Sequence, residues 1–299
     1  MTAPGHARGH GLGIAMMVAA MACLSTQDAL AKLLMAVLAP VLIIWARYAL
    51  QFALAAMGTA RRGDRSLWRS RRPGLQLLRA ALVIGGSICG YAALMRMPVA
   101  EFTAIYCLVP TLVMLLARFS LHEPVRPLGW VCVAGGLAGA LLIVRPGGQV
   151  DSIGALIALA GVACYTGFQT LTGVLARHDA PQTTHLYTSA VGALVFSVLV
   201  PWFWPAEIST GNLALLGAVA LAGTYGQYFM VMAFSRAPVA VVSPYLYSAI
   251  AFSALAGWAL FGHVPDAVSL AGMALIAGFG ALGAWVRSVA VPPVSRSPA

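Results

Sequence analysis

The segment Arg96-Met97-Pro98-Val99-Ala100 returns 140 positions later as Arg236-Ala237-Pro238-Val239-Ala240. Each copy has a long apolar run before it and another after it. The same offset sets Gly86 on Gly226 and Ala93 on Ala233. One residue more sets Ala22-Cys23 on Ala163-Cys164, Leu30 on Leu171 and Ala39-Pro40 on Ala180-Pro181. A register kept from residue 22 to residue 100 is a tandem duplication, so the fold must accept two copies of one unit.

Composition says what that unit is made of. The chain is 61% hydrophobic and 9% charged, where soluble domains average about 45–50% and about 25%. A helix needs about 20 mostly apolar residues to cross the hydrocarbon core. Ten runs meet that requirement: 12–36, 40–58, 75–96, 98–119, 127–145, 153–175, 184–204, 212–234, 238–262 and 267–287. The first is no cleaved signal peptide, because Asp28 and Lys32 interrupt it and it outruns an h-region of about 7–15 residues. The expected class is an all-α integral membrane protein with ten transmembrane helices. Cys23, Cys89, Cys107, Cys132 and Cys164 all lie in apolar runs without a C-x-x-C spacing. They read as small packing residues, with neither a disulfide framework nor a metal site. The net charge of +10 does not indicate nucleic acid. Much of it is the arginine-rich stretch 61–72, which suits a cytoplasmic membrane face.

Basic residues also orient the chain. With the N-terminus inside, thirteen arginines fall on the cytoplasmic side and only Arg96 and Arg145 outside. Both termini are then cytoplasmic. Each repeat holds five helices, an odd number, so the second copy enters the membrane from the opposite side. This 5+5 inverted-topology repeat is the plan of many secondary transporters, whose substrates bind near the midplane between the halves.

Ionisable residues within spans are costly and are therefore candidates for function. Asp28 and Lys32 share a face of the first helix and can pair locally. Arg47 lies in the second helix, and Glu101 opens the fourth. At about 1.5 Å per residue all four fall in the outer half of the bilayer. They form either a static ion-pair cluster that orients helices or a binding and gating cluster that exchanges partners with a substrate or a proton. Glu101 can also snorkel to the interface.

The second repeat replaces these charges: Asp28 maps to Gln169, Lys32 to Gly173 and Arg47 to Thr188. The expectation is an asymmetric cavity whose inner half lacks the network. Tyr165, Gln169 and Thr172 form one polar stripe of the sixth helix. Tyr225, Gln227 and Tyr228 lie in the eighth, Ser243, Tyr245 and Tyr247 surround Pro244 in the ninth, and Tyr106 and Pro110 lie in the fourth. Rings and hydroxyls of this kind suit an amphipathic organic substrate, although each tyrosine can equally be a packing residue with one bonded hydroxyl. Gly86-x-x-x-Gly90 and Gly135-x-x-x-Gly139 read as close helix contacts. Gly278-Phe-Gly280-Ala-Leu-Gly283 fits G-x-G-x-x-G but lies within a span, and no hydrolase, metalloprotease or Walker motif is present. Neither an enzyme nor a bound cofactor is expected.

Lys32, then Pro40, then Arg47 resembles the K…P…R opening of EamA-type carriers of the drug/metabolite transporter superfamily. Pro110 followed by Leu121-His122-Glu123 resembles their P…(l)xE segment. Ala237-Pro238, Ser243-Pro244-Tyr245, Gly257, the run 261–266 and Gly272 resemble the matching part of the second half. The likeness runs from about 12 to 287. It departs from the family at His263, which falls on Glu123 at the repeat offset, where an acidic residue is usual. Asp266 lies three residues on. The resemblance implies repeats at 12–145 and 153–287 between cytoplasmic tails at 1–11 and 288–299, in a bacterial inner membrane. It implies transport of small metabolites; such carriers handle amino acids, nucleoside-like compounds and vitamins. The expected activity is export of amino acids or related amphipathic compounds, with protons and a second copy of the chain as further partners. Import of a vitamin- or cofactor-like metabolite and a non-transporting scaffold or receptor are the alternatives.

Overall fold

The structure, a computed structural model, describes residues 4–62, 68–113, 116, 127–144, 151–175, 178–205, 207–236 and 242–290. These are helical or irregular, with no strand among the described residues. In chain order the helices are α1 (Pro4–Leu34), α2 (Pro40–Arg62), α3 (Pro73–Arg96), α4 (Val99–Tyr106), α5 (Pro127–Val144), α6 (Ser152–Leu175), α7 (Pro181–Phe203), α8 (Thr210–Arg236), α9 (Ser248–Phe261) and α10 (Ala267–Ala290). A 3-10 turn, Ser243–Tyr247, leads into α9. Five of the helices open on proline, whose fixed φ suits a first turn and whose missing N–H would find no partner there anyway.

Among the described residues, seven helical segments are long and apolar enough to cross a membrane, and Val99–Val113, Trp130–Ile143 and Ala267–Gly283 are shorter apolar helices. The chain is thus a multi-pass membrane protein. The expected span 98–119 begins as α4, but the helix is interrupted at Cys107 and Leu108. Pro110 is the cause: it has no N–H to offer the carbonyl of Tyr106 four residues earlier. Helix resumes over 109–113. Residues 114, 115 and 117–119 of that span, and Leu121-His122-Glu123, lie outside the described residues, as does Ala237-Pro238.

Packing pairs elements far apart in the chain. α1 lies against α8, α3 against α6, α2 against α7, α4 against α9 and α5 against α10. The α5–α10 crossing is a backbone contact. A Cβ on Gly139 would stand 2.7 Å from the Gly272 carbonyl, and one on Gly272 2.6 Å from that of Gly139. Here the glycine spacing expected to bring helices together does so. Met17, Leu94, Ile105, Ile143 and Val162 are buried in one core, and Leu34, Ile43, Tyr48 and Phe196 in another. Outward, Leu141 is 71% exposed and Trp202 74%. Large apolar side chains turned away from the protein are what a lipid solvent permits.

Candidate functional site

The polar groups of α1, α2 and α3 meet inside the bundle. Gln27 donates from Nε2 to Asp28 Oδ1 at 3.0 Å. Its own position depends on α8, because a Cβ on Gly223 would stand 2.0 Å from Gln27 Oε1. Opposite, Arg47 donates from Nη2 to Ser87 Oγ at 2.9 Å. Tyr48 Oη lies 3.0 Å from the same oxygen, and the Ser87 hydroxyl donates back to the Val83 carbonyl at 2.8 Å. The Arg47 guanidinium carbon is 4.9 Å from the Tyr48 ring centroid and 5.8 Å from that of Tyr91. Asp28 is its countercharge, and Tyr165 is also within its field. Arg47 Nε is buried without a hydrogen-bond partner.

Tyr106 continues the wall. Its ring is 6.4 Å from Tyr165, and its hydroxyl donates to the Gly86 carbonyl at 3.1 Å. A Cβ on Gly161 would meet that hydroxyl at 2.1 Å, so the ring occupies space left by a glycine of α6. The structure therefore brings together Asp28, Arg47, Tyr106 and Tyr165 of the expected set.

Lys32 and Glu101 stand elsewhere. Lys32 does not pair with Asp28: Nζ donates to the carbonyls of Leu94, at 2.9 Å, and Met97. It thereby satisfies orphan carbonyls at the end of α3. Glu101 does not snorkel. It is fully buried, with His263 Nε2 3.1 Å from Oε1 and no partner for Oε2. α9 ends on Gly262 in the left-handed region at φ 64°. That reversal sets His263 against α4. Lys32 is linked electrostatically to Glu101 and stands 5.8 Å from the Phe261 ring centroid.

Gln169 and Gln227 are half-buried. Tyr225 is 55% exposed and lies two residues from Gly223, about 160° around the helix. Tyr245, in the 3-10 turn, is 38% exposed. Neither is placed in the Asp28–Arg47 group.

A second guanidinium lies beside Thr188, the residue that stands in the second repeat where the first has Arg47. Arg79 of α3 donates from Nε to Thr172 Oγ1 at 2.6 Å. From Nη1 it donates to the Thr184 carbonyl at 3.0 Å and to Thr188 Oγ1. Its guanidinium carbon is 4.4 Å from the Phe168 ring centroid. Thr188 is the repeat partner of Arg47, so a cation lost from α7 is returned by α3. Beside it, Asp179, in the turn between α6 and α7, accepts from Gln76 Nε2 at 2.9 Å, the Arg71 N–H at 2.9 Å and the Ser70 hydroxyl. Burial alone would push this carboxyl up, but the hydrogen bonds outweigh it and hold it below its ordinary value. Sequence reading left out Arg79, Tyr48, Tyr91 and Asp179. For Arg79 the signal was present as a lone charge within a span. No group of three or more His, Cys, Asp or Glu suited to a metal occurs among the described residues.

Among the described residues, apolar helices hold buried charges with aromatic rings packed around them, an arrangement that suits a membrane carrier. The sequence profile of the EamA-like transporter family matches residues 11–145 and again 152–283. The chain belongs to that family, within the drug/metabolite transporters, and is a transporter and not an enzyme. It is 26% identical over 247 residues to a riboflavin transporter of Brucella anthropi, covering 80% of this chain and 85% of that one. It is 30% identical over 213 residues to the pseudopaline exporter CntI of Pseudomonas aeruginosa, covering 69% and 73%. It is 23% identical over 208 residues to an S-adenosylmethionine uptake transporter of Rickettsia prowazekii, covering 70% of each. A solved crystal structure at 20% identity aligns over 93% of this chain and 98% of its own with a TM-score of 0.65, a shared fold.

Proposed function

We propose that this chain is a secondary carrier that exports a small amphipathic organic metabolite, an amino acid or a related compound, across a bacterial inner membrane. The carrying observation is the Asp28–Arg47 group. It offers a half-buried carboxylate, a guanidinium with an unmet N–H, and the rings of Tyr91, Tyr106 and Tyr165. A substrate with polar ends and an apolar body fits such a wall.

The architecture we infer is ten spans in two inverted five-helix repeats, both termini cytoplasmic. Two features support it. The family profile matches twice. The helix pairs α1–α8 and α3–α6 also exchange under a swap of the halves, while α2–α7, α4–α9 and α5–α10 map onto themselves. Alternating access then follows from rocking one half against the other. Single cysteines placed in residues 61–72 should react only with reagent supplied from the cytoplasmic side; labelling from outside overturns the orientation.

A second reading is import of a vitamin- or cofactor-like metabolite. It is favoured by the aromatic wall and by relatives named as a riboflavin transporter and an S-adenosylmethionine uptake transporter. Comparing metabolites in cells and medium for strains overproducing wild type or Asp28→Asn separates the readings. A compound class enriched in the medium by the wild type alone supports export, and one enriched in cells supports import. If no compound moves, the carrier proposal falls.

A further inference from the structure

Arg47 and Arg79 are both guanidinium groups inside the bundle, but their electrical settings differ. Arg47 has Asp28. Arg79 has no carboxylate among the described residues: its partners are two threonine hydroxyls, one carbonyl and the Phe168 ring. The nearby acid, Asp179, is already engaged by Ser70, Arg71 and Gln76. A cation held within a membrane without a countercharge is costly. The cost is tolerated where the missing charge arrives with a ligand.

The surroundings of Arg79 are built to orient it. Phe168 and Thr172 lie four apart on α6, and Thr184 and Thr188 four apart on α7, so three helices converge on one side chain. The Thr172 hydroxyl donates to the Phe168 carbonyl at 2.7 Å and that of Thr188 to the Thr184 carbonyl at 3.0 Å. Both hydroxyl protons are thus committed, and each oxygen faces the guanidinium as an acceptor only. Nε and Nη1 are fastened in this way. The two N–H groups of Nη2 meet no acceptor among the described residues.

We propose that Arg79 is the receptor for an oxyanion carried by an organic substrate, a carboxylate or a phosphate whose adjoining ring lies by Phe168 and Tyr165. The oxyanion takes the free edge of the guanidinium, where charge-assisted hydrogen bonds are strongest. The inference rests on the carrier reading for its biological meaning, and assigns that carrier an anionic substrate class.

The test uses three small probes on the purified full chain: benzoate, phenyl phosphate and neutral benzamide. Thermal unfolding in detergent is followed as each is titrated. Benzoate or phenyl phosphate should raise the Tm saturably, and the more effective of the two names the oxyanion; benzamide should not. Arg79→Gln should weaken that response about 10- to 100-fold, the equivalent of losing a charge-assisted hydrogen bond. Arg79→Lys, which keeps the charge without the fork, should be intermediate and guards against a misfolded Gln variant. The discrimination between benzoate and benzamide is the decisive readout, since a purely structural arginine would not set it. Failure of both anions to shift the wild type, or an equal shift in Arg79→Gln or by benzamide, overturns the proposal. Transport without this discrimination leaves the carrier reading standing and removes the anion site. Anion binding without transport does the reverse.

Discussion

Glu101 and His263, 162 positions apart, meet at 3.1 Å where α4 begins and α9 has ended. The carboxyl is wholly buried, and the imidazole is its one hydrogen-bonding partner among the described residues. The histidine stands where the family resemblance called for an acid. A second acid at that position would face Glu101 with like charge, whereas a histidine can bond to it.

His263→Ala should therefore cost stability of about 1–3 kcal/mol, the penalty for stranding a buried polar group. His263→Gln, which can still donate, should recover part of it. Thermal unfolding in detergent is the measurement. Equal Tm values for wild type and His263→Ala would remove the pair from the account of stability.

Asp28→Asn should lower transport on the order of tenfold, the worth of one charge-assisted hydrogen bond, while the protein still accumulates in the membrane. The amide keeps the shape and the neighbourhood of Gln27 but no longer answers the charge of Arg47. Flux of the identified substrate into sealed vesicles checks this. Undiminished flux would make Asp28 a helix-orienting residue.

Gly161→Ala should destabilise the α4–α6 contact by about 1–3 kcal/mol, as overpacking does. The new methyl would meet the Tyr106 hydroxyl at 2.1 Å. Adding Tyr106→Phe removes that oxygen and leaves the ring carbon at 3.1 Å, so the double variant should regain part of the lost Tm. No recovery would place the strain elsewhere.

Asp179 gives a pH signature. Its carboxyl is held below its usual value by Ser70, the Arg71 N–H and Gln76 against the effect of burial. A depressed folded-state pKa stabilises the protein fully above the unfolded value of about 3.9. That stabilisation is lost as the pH falls through the lower folded value. Wild type should thus unfold at a higher temperature than Asp179→Asn near neutrality, and the difference should shrink in strong acid. A difference independent of pH would count against the ionised carboxyl.

Much of the helical plan was legible in the sequence because a bilayer imposes length. The prolines at 40, 73, 127 and 181 mark starts that the structure keeps. The interruption at Cys107 was not foreseen, although Pro110 carried the information. Asp28 and Arg47 were readable as rare charges within spans, and Arg79 carried the same signal without being singled out. What a linear reading lacks is direction. It could not tell that Lys32 turns to the end of α3, that Glu101 faces inward, or that Tyr225 faces outward. Those outcomes depend on which helices meet, and Gly223 and Gly161 set two of these contacts by what they leave empty.

The interleaving of distant helices has a practical consequence. Because α1 lies on α8 and α3 on α6, neither the chain before residue 145 nor the chain after residue 151 can cover its own faces. Each is half of a clasp. Cut in that connection and made as two polypeptides in one cell, the halves should find each other and rebuild the carrier, while either alone is left for the cell's membrane proteases to clear.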